Sequence, residues 1–200
     1  SAIAVTAMGA LVAASILPKS DLELRRVGIN PTRAGVLDVL RRMGANLSVV
    51  NEREEDGEPV ADLIVKGGAP LKSVRIGGDL VPRLIDEIPA LAVAACFADG
   101  VTVIRDAGEL RVKESDRLAA MAAELGKLGA RVGVLPDGLA IEGGGTLRGA
   151  VVDAHDDHRV AMALAIAGLA SEGETVVEGS EAVTKSYPGF AADLSRLAAA

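Results

Sequence analysis

The residues best suited to chemistry lie in one charged stretch, Glu109-Leu-Arg-Val-Lys-Glu-Ser-Asp-Arg-Leu118. It runs between a β-rich tract, Val101–Ile104, and a tract of helical periodicity, Leu118–Leu128. Ser115 is a residue type that caps helices and Asp116 suits a first turn, so the sequence predicts a helix from about Asp116. Arg117 then falls at the positive end of the helix dipole, where a cation costs about 0.3 to 1 kcal/mol unless an anion is bound. Read this way, Lys113 and Arg117 are anion ligands and Glu114 is a carboxylate beside them. The competing reading is a solvated surface whose charges pair among themselves.

More candidates precede other helix-like tracts. Asp86-Glu87 leads into Ala90–Phe97, with Pro89 suited to a first turn. Asp157-His158-Arg159 opens His158–Leu169, and Lys185-Ser-Tyr-Pro188 opens the last tract. Cations at several helix starts oppose the dipole preference. A small, strongly anionic ligand such as a phosphorylated carboxylate reconciles them, because guanidinium groups bind carboxylate and phosphate in bidentate fashion. The pattern therefore predicts one rim that gathers the cations Lys113, Arg117, Arg159 and Lys185 with the carboxylates Asp86 and Glu114, while His158 reads equally as a helix-start hydrogen-bonding residue or a catalytic one. Arg33 reads as a solvated or structural residue and His155 as a loop residue. Gly143-Gly144-Gly145 reads as a flexible connector, since no Lys-Ser/Thr follows to make a phosphate loop.

Composition narrows the classes. A net charge of −7 over 200 residues, with 2% aromatics, argues against a nucleic-acid surface. Cys96, the single cysteine, sits in an Ala-rich run and reads as a small buried hydrophobe. The only histidines are His155 and His158, with no cysteine near them, so no Cys/His metal site is expected. Ala2–Leu17 is apolar but lacks a basic leader and is short for a membrane span, so it reads as a core helix, with no membrane contact and a cytoplasmic location expected. The chain opens at Ser1, already inside this run, which leads to the expectation of a missing upstream segment.

The elements that must position these residues recur. Helix Ala2–Ser15, strand Asp21–Val27, a helix opened by Pro31-Thr32-Arg33 and ending at Met43-Gly44-Ala45, and strands Leu47–Val50 and Ala61–Val65 around a polar turn, Asn51–Glu58, form one unit. The second runs through a short strand, Val74–Ile76, helix Ala90–Phe97, strand Val101–Ile104, the charged stretch with its helix, and a hairpin, Val132–Leu135 with Leu139–Ile141, turned by Pro136-Asp137-Gly138. The third comprises strand Ala150–Val152, helix His158–Leu169, strand Thr175–Val177 and helix Pro188–Leu197. Units of about 1–66, 71–142 and 147–200 predict a single α/β domain, pseudo-three-fold, built of repeated βαβαββ units around buried parallel Ala-rich helices.

Four segments resemble the EPSP synthase (3-phosphoshikimate 1-carboxyvinyltransferase) family, closest in wording to its bacterial class II members. They are Leu110-Arg-Val-Lys-Glu-Ser-Asp-Arg117, Asp157-His-Arg-Val-Ala-Met162, the Ile85-Asp-Glu-Ile-Pro-Ala run and Thr184-Lys-Ser-Tyr-Pro188. The resemblance spans essentially the whole chain and implies one of the family's two similar domains, the carboxyl-terminal one, with the site in a cleft between them. It implies transfer of the enolpyruvyl group of phosphoenolpyruvate to the 5-hydroxyl of shikimate 3-phosphate with release of phosphate, in aromatic amino acid biosynthesis. It implies no metal or organic cofactor. By motif position, Asp86 resembles the proton acceptor at the shikimate hydroxyls, Lys113 the substrate-contacting lysine and Glu114 the acid that protonates the phosphoenolpyruvate methylene. Arg117, Arg159 and Lys185 resemble the cations that hold its carboxylate and phosphate, with His158 beside them. The Asp-x-Ser-Ser signature expected ahead of the first helix is missing or truncated at Ser1, and these 200 residues do not contain the complementary amino-terminal domain, so this stretch alone is expected to be inactive or nearly so. A transferase acting on UDP-N-acetylglucosamine shares the fold and stays open as an alternative, as does a non-catalytic α/β binding module.

Overall fold

The structure, a computed structural model, describes residues 2–198. Its centre is made of α1 (Ala2–Ile16), α3 (Ile88–Cys96) and α5 (His158–Leu169), which pack against one another in pairs. Every residue of α3 from Leu91 to Cys96 is buried, as a helix without a polar face must be. Alanine side chains let the three backbones approach closely, and the branched residues between them fill the remaining space.

Sheets surround this centre. β1 (Asp21–Gly28), β2 (Asn46–Glu55) and β3 (Glu58–Lys66) form an antiparallel sheet in the order β1-β3-β2. β4 (Arg75–Ile76), β5 (Val101–Ile104), β6 (Arg131–Leu135) and β7 (Gly138–Glu142) follow the order β4-β5-β7-β6, with β4 parallel to β5 and the other pairs antiparallel. β8 (Val151–Asp153) and β9 (Val176–Glu178) pair in parallel. Parallel neighbours need a crossover, and α3 and α5 supply it for β4–β5 and β8–β9. The amphipathic helix α4 (Arg117–Lys127) packs on α3 and α5, α2 (Gly35–Arg42) turns its apolar face into the same core beside β2, and α6 (Phe190–Ala198) closes the described chain.

Several elements differ from the sequence reading. The polar tract Asn51–Glu58 is no turn: β2 runs through Glu55 and the turn shrinks to Asp56-Gly57. Asp62 accounts for this, because its carboxylate takes the Arg26 amide at 2.9 Å and the Asn51 side-chain amide at 2.9 Å, holding two register shifts in place. Pro31-Thr32-Arg33 forms a turn closed by the Asn30 side chain, and α2 begins only at Gly35. Gly143 is not a flexible link. A Cβ there would lie 1.9 Å from the Ala98 carbonyl oxygen, so the bare backbone seals the end of α3, as Gly67 does against Leu17 at the end of α1. Among the described residues no helix is long and apolar enough to cross a membrane.

Candidate functional site

Three helix starts converge. α4 begins at Arg117, one residue later than predicted, and its cap is Asp116, whose carboxylate accepts from the Ala119 amide at 3.0 Å. Ser115 is thereby freed from capping, and its hydroxyl donates to Asp157 at 3.0 Å. Asp157 in turn caps α5 through the amide of Arg159 at 2.9 Å. Arg117 ties the starts together: its Nε donates to Asp157 at 2.8 Å and its Nη1 to Asp86, ahead of α3, at 3.1 Å. Because α3 and α5 pack side by side and Arg159 Nη1 reaches the Asp86 carbonyl at 3.3 Å, their N-termini point the same way.

Burial sets the electrostatics here. The Arg117 side chain is 4% exposed and that of Asp157 0%. Burial alone would raise the Asp157 carboxyl, but Arg117, the Arg159 amide and the Ser115 hydroxyl outweigh it and hold the group below the ordinary aspartate range. Glu87, half sunk beside Arg159, shifts the other way. Loss of water and the neighbouring Asp86 charge raise it against the pull of Arg159.

Glu114 reaches across to α5 and meets His158 Nδ1 at 2.8 Å. Arg159 Nε donates to His158 Nε2 at 3.2 Å, which makes that nitrogen an acceptor and assigns the ring proton to Nδ1. The site is thus a chain of contacts from Glu114 through His158 and Arg159 to Asp86, with Arg117 and Asp157 beneath it. Arg159 is shared between Asp86 at 3.7 Å and Glu87 at 3.6 Å, both longer than a good ion pair, so it is held loosely enough to turn to another anion.

Of the residues singled out in the sequence, Asp86, Glu114, Arg117, His158 and Arg159 come together. Lys113 stands at the edge, pairing with Glu109. Lys185 does not open a helix: it ends a 3-10 turn, Ser180–Lys185, and pairs on the surface with Asp156 at 3.3 Å. Sequence reasoning passed over Asp157 as the centre of the network, and Ser115 and Glu87 as members. Asp157 carried a signal, an N-cap residue type ahead of an apolar run, whereas nothing local in the sequence marks its pairing with an arginine forty positions away. His155 is in the expected loop but is not idle, since its Nε2 meets the buried Glu124 at 2.9 Å. Cys96 is buried and its thiol is pushed up to about 12 by burial, which suits a packing residue.

Among the described residues, Glu114, Asp157 and His158 are the one trio whose donor atoms lie close enough to share a metal ion, within 4.8 Å. They do not suit one. Arg117 occupies Asp157 and Arg159 donates to His158, so a dication would face two guanidinium groups. Carboxylates of differing environment next to cations that can be redirected to a ligand are the chemical means for moving protons and holding an anion.

Known proteins share both sequence and fold. The family model of EPSP synthase (3-phosphoshikimate 1-carboxyvinyltransferase) matches residues 4–194. A 3-phosphoshikimate 1-carboxyvinyltransferase of Gloeobacter violaceus is 62% identical over 187 residues, 94% of this chain and 43% of its own length. Another, of Thermosynechococcus vestitus, is 60% identical over 94% of the chain and 42% of its own length. The structure of EPSP synthase from Acinetobacter baumannii superposes with a TM-score of 0.92 at 43% identity, over 97% of this chain and 45% of that one. The enolpyruvyl transferase NikO from Streptomyces tendae shares the fold at a TM-score of 0.76 and 24% identity. The chain thus spans less than half the length of the relatives it matches.

Proposed function

This chain belongs to the EPSP synthase family, and from that premise we propose that it carries one face of a site transferring the enolpyruvyl group of phosphoenolpyruvate to the 5-hydroxyl of shikimate 3-phosphate. The observation that carries the proposal is the meeting of Asp86, Glu114, Arg117, His158 and Arg159 where α3, α4 and α5 begin. Helix starts and guanidinium groups together favour a ligand of charge near −3.

The roles follow from what the reaction requires. Glu114 gives its proton to the methylene carbon of phosphoenolpyruvate, which leaves the adjoining carbon electron-poor, and the 5-hydroxyl adds there as Asp86 accepts its proton. Phosphate then departs from the adduct while a methyl proton returns to Glu114, so the double bond is restored and the proton on Asp86 leaves with phosphate. Arg159, loosely shared between two carboxylates, turns to the anion, and Arg117 exchanges its bond to the half-exposed Asp86 for one to the ligand. Lys113 contacts substrate from the edge, and Lys185 joins when its exposed pair with Asp156 opens. His158 keeps Glu114 in line. No metal or organic cofactor enters these steps.

The remaining grip on shikimate 3-phosphate belongs to the amino-terminal domain of the family, which we propose as the partner that completes the site, the present chain forming a single domain of three related units. A cytoplasmic setting goes with these phosphorylated substrates. The test is phosphate release from phosphoenolpyruvate and shikimate 3-phosphate, by the chain alone and with the complementary domain added. Turnover in the mixture, lost with Glu114→Ala, supports the proposal. Turnover by the chain alone overturns the shared site, and none in a mixture shown to associate overturns the assigned roles.

A further inference from the structure

Behind the site lies a second cluster that the reaction does not use. Glu124, in the middle of α4, is 2% exposed, yet its carboxylate points at the loop that joins β8 to α5. It accepts from the Asp153 amide at 2.9 Å and meets His155 Nε2 at 2.9 Å, while Lys127 closes it from outside at 2.7 Å. Burial would raise this carboxyl, but these three partners more than compensate and keep it charged.

The loop needs such an anchor. His155 and Asp156 both adopt left-handed backbone, at φ 53° and 54°, without being glycine. Such strain persists only where surrounding contacts over-determine it. The next residues are Asp157, His158 and Arg159, so an error in this loop passes directly into the network at the helix starts. The loop's own bonds, from the Ala154 amide to the Glu178 carbonyl at 2.9 Å and from the His155 amide to Asp153 at 2.7 Å, fix it to β9 and to itself. Among the described residues, Glu124 is the charged group that ties it to α4, the helix whose first residue is Arg117.

We propose that Glu124 is a positioning residue: by fixing the strained Asp153–Asp156 loop to α4, it sets the placement of Asp157, His158 and Arg159 relative to Glu114 and Arg117. The inference rests on the proposed site for its importance to turnover, but its geometry can be read without catalysis.

With two histidines in the chain, ring nitrogen NMR of the folded protein reports both ends of the device. His155 donates through Nε2 to a carboxylate, whereas His158 donates through Nδ1 and accepts at Nε2, so their neutral rings are opposite tautomers. Glu124→Gln is expected to change the His155 signals and also to erode the His158 Nδ1–H signature, with the ring averaging between tautomers as its link to Glu114 loosens. In the reassembled enzyme, the same variant is expected to lower kcat about 10²-fold, the loss that follows a misplacement of about 1 Å. Lys127→Met, which removes only the outer cap, is expected to leave His158 unchanged. If Glu124→Gln fails to give a folded spectrum, His155→Ala cuts the loop-to-helix bond and is read in the same way. A His158 signature untouched in folded variants overturns the inference, whatever happens to activity. A changed signature with an inactive parent enzyme overturns the functional reading and leaves the positioning role intact.

Discussion

Asp157 shows how one buried residue can tie several helix starts together. It caps α5, holds Arg117 and receives Ser115, all without exposure to water. Removing one partner of a buried pair strands the other, so Asp157→Asn should cost about 3–5 kcal/mol in urea unfolding at pH 7. The folded carboxyl titrates below its unfolded value of about 3.8, so its stabilisation is fully present above that pH and is lost as pH falls through the depressed folded value. The variant's deficit relative to the parent should therefore shrink as pH falls below about 4. Glu87 has the opposite sign. Its folded carboxyl titrates above 4.5, so stability from it is greatest below that pH and declines as pH rises through the folded value. Glu87→Gln should raise the melting temperature at pH 7 relative to pH 4, and an equal shift at both would discount burial as the cause. In the reassembled enzyme, Glu114→Gln should lower kcat by about 10² to 10⁴-fold, the range for losing a general acid, with a smaller change in KM.

At the scale of elements, the apolar helices α1, α3 and α5 are legible in the sequence because alanine without a polar stripe admits only one environment. Their ends are less legible. The cap of α4 falls on Asp116 rather than Ser115, whose hydroxyl goes instead to Asp157, distant in sequence. β2 hides its extent in the sequence because Asn51–Glu55 is polar throughout. It remains a strand because Arg53 and Arg26 pair with Glu55 on the exposed face and Asp62 holds the shifts in register. Lys185 was placed at a helix start because Pro188 imitates a first turn, yet the chain forms the 3-10 turn first and α6 waits until Phe190. The residue types of the candidate network are visible in the sequence, whereas the pairings that bring Asp86, Glu114, Arg117, His158 and Arg159 together are long-range and carry no local mark. Gly143 extends the point, since glycine there reflects the 1.9 Å approach to Ala98 rather than flexibility. Gly143→Ala should cost at least about 2 kcal/mol by forcing β7 away from α3, where a tolerant connector would lose nothing measurable.

Across the whole molecule, the apolar interior is divided unequally. A large cluster spans α1 through α5, whereas Ala154, Ala161, Met162 and Val183 form a small one, joined by Tyr187 and Phe190, that underlies the carboxyl-terminal segment. Local stability follows buried contact, so the Ser180–Phe190 segment should open at a lower free energy than α3 and α4. Amide exchange should be fast there and slowest in α3. Lys185 rides on this segment with its side chain 71% exposed, paired only at the surface with Asp156. A cation on a thinly packed segment can be recruited at small cost once an anion arrives, and that is the basis on which we propose Lys185 as a ligand although it lies outside the unliganded network. Phosphoenolpyruvate with shikimate 3-phosphate should then slow exchange across Ser180–Phe190 in the reassembled enzyme, and Lys185→Ala should abolish the slowing while raising KM more than it lowers kcat. Slowing that survives Lys185→Ala would assign the closure to another contact and remove Lys185 from the site.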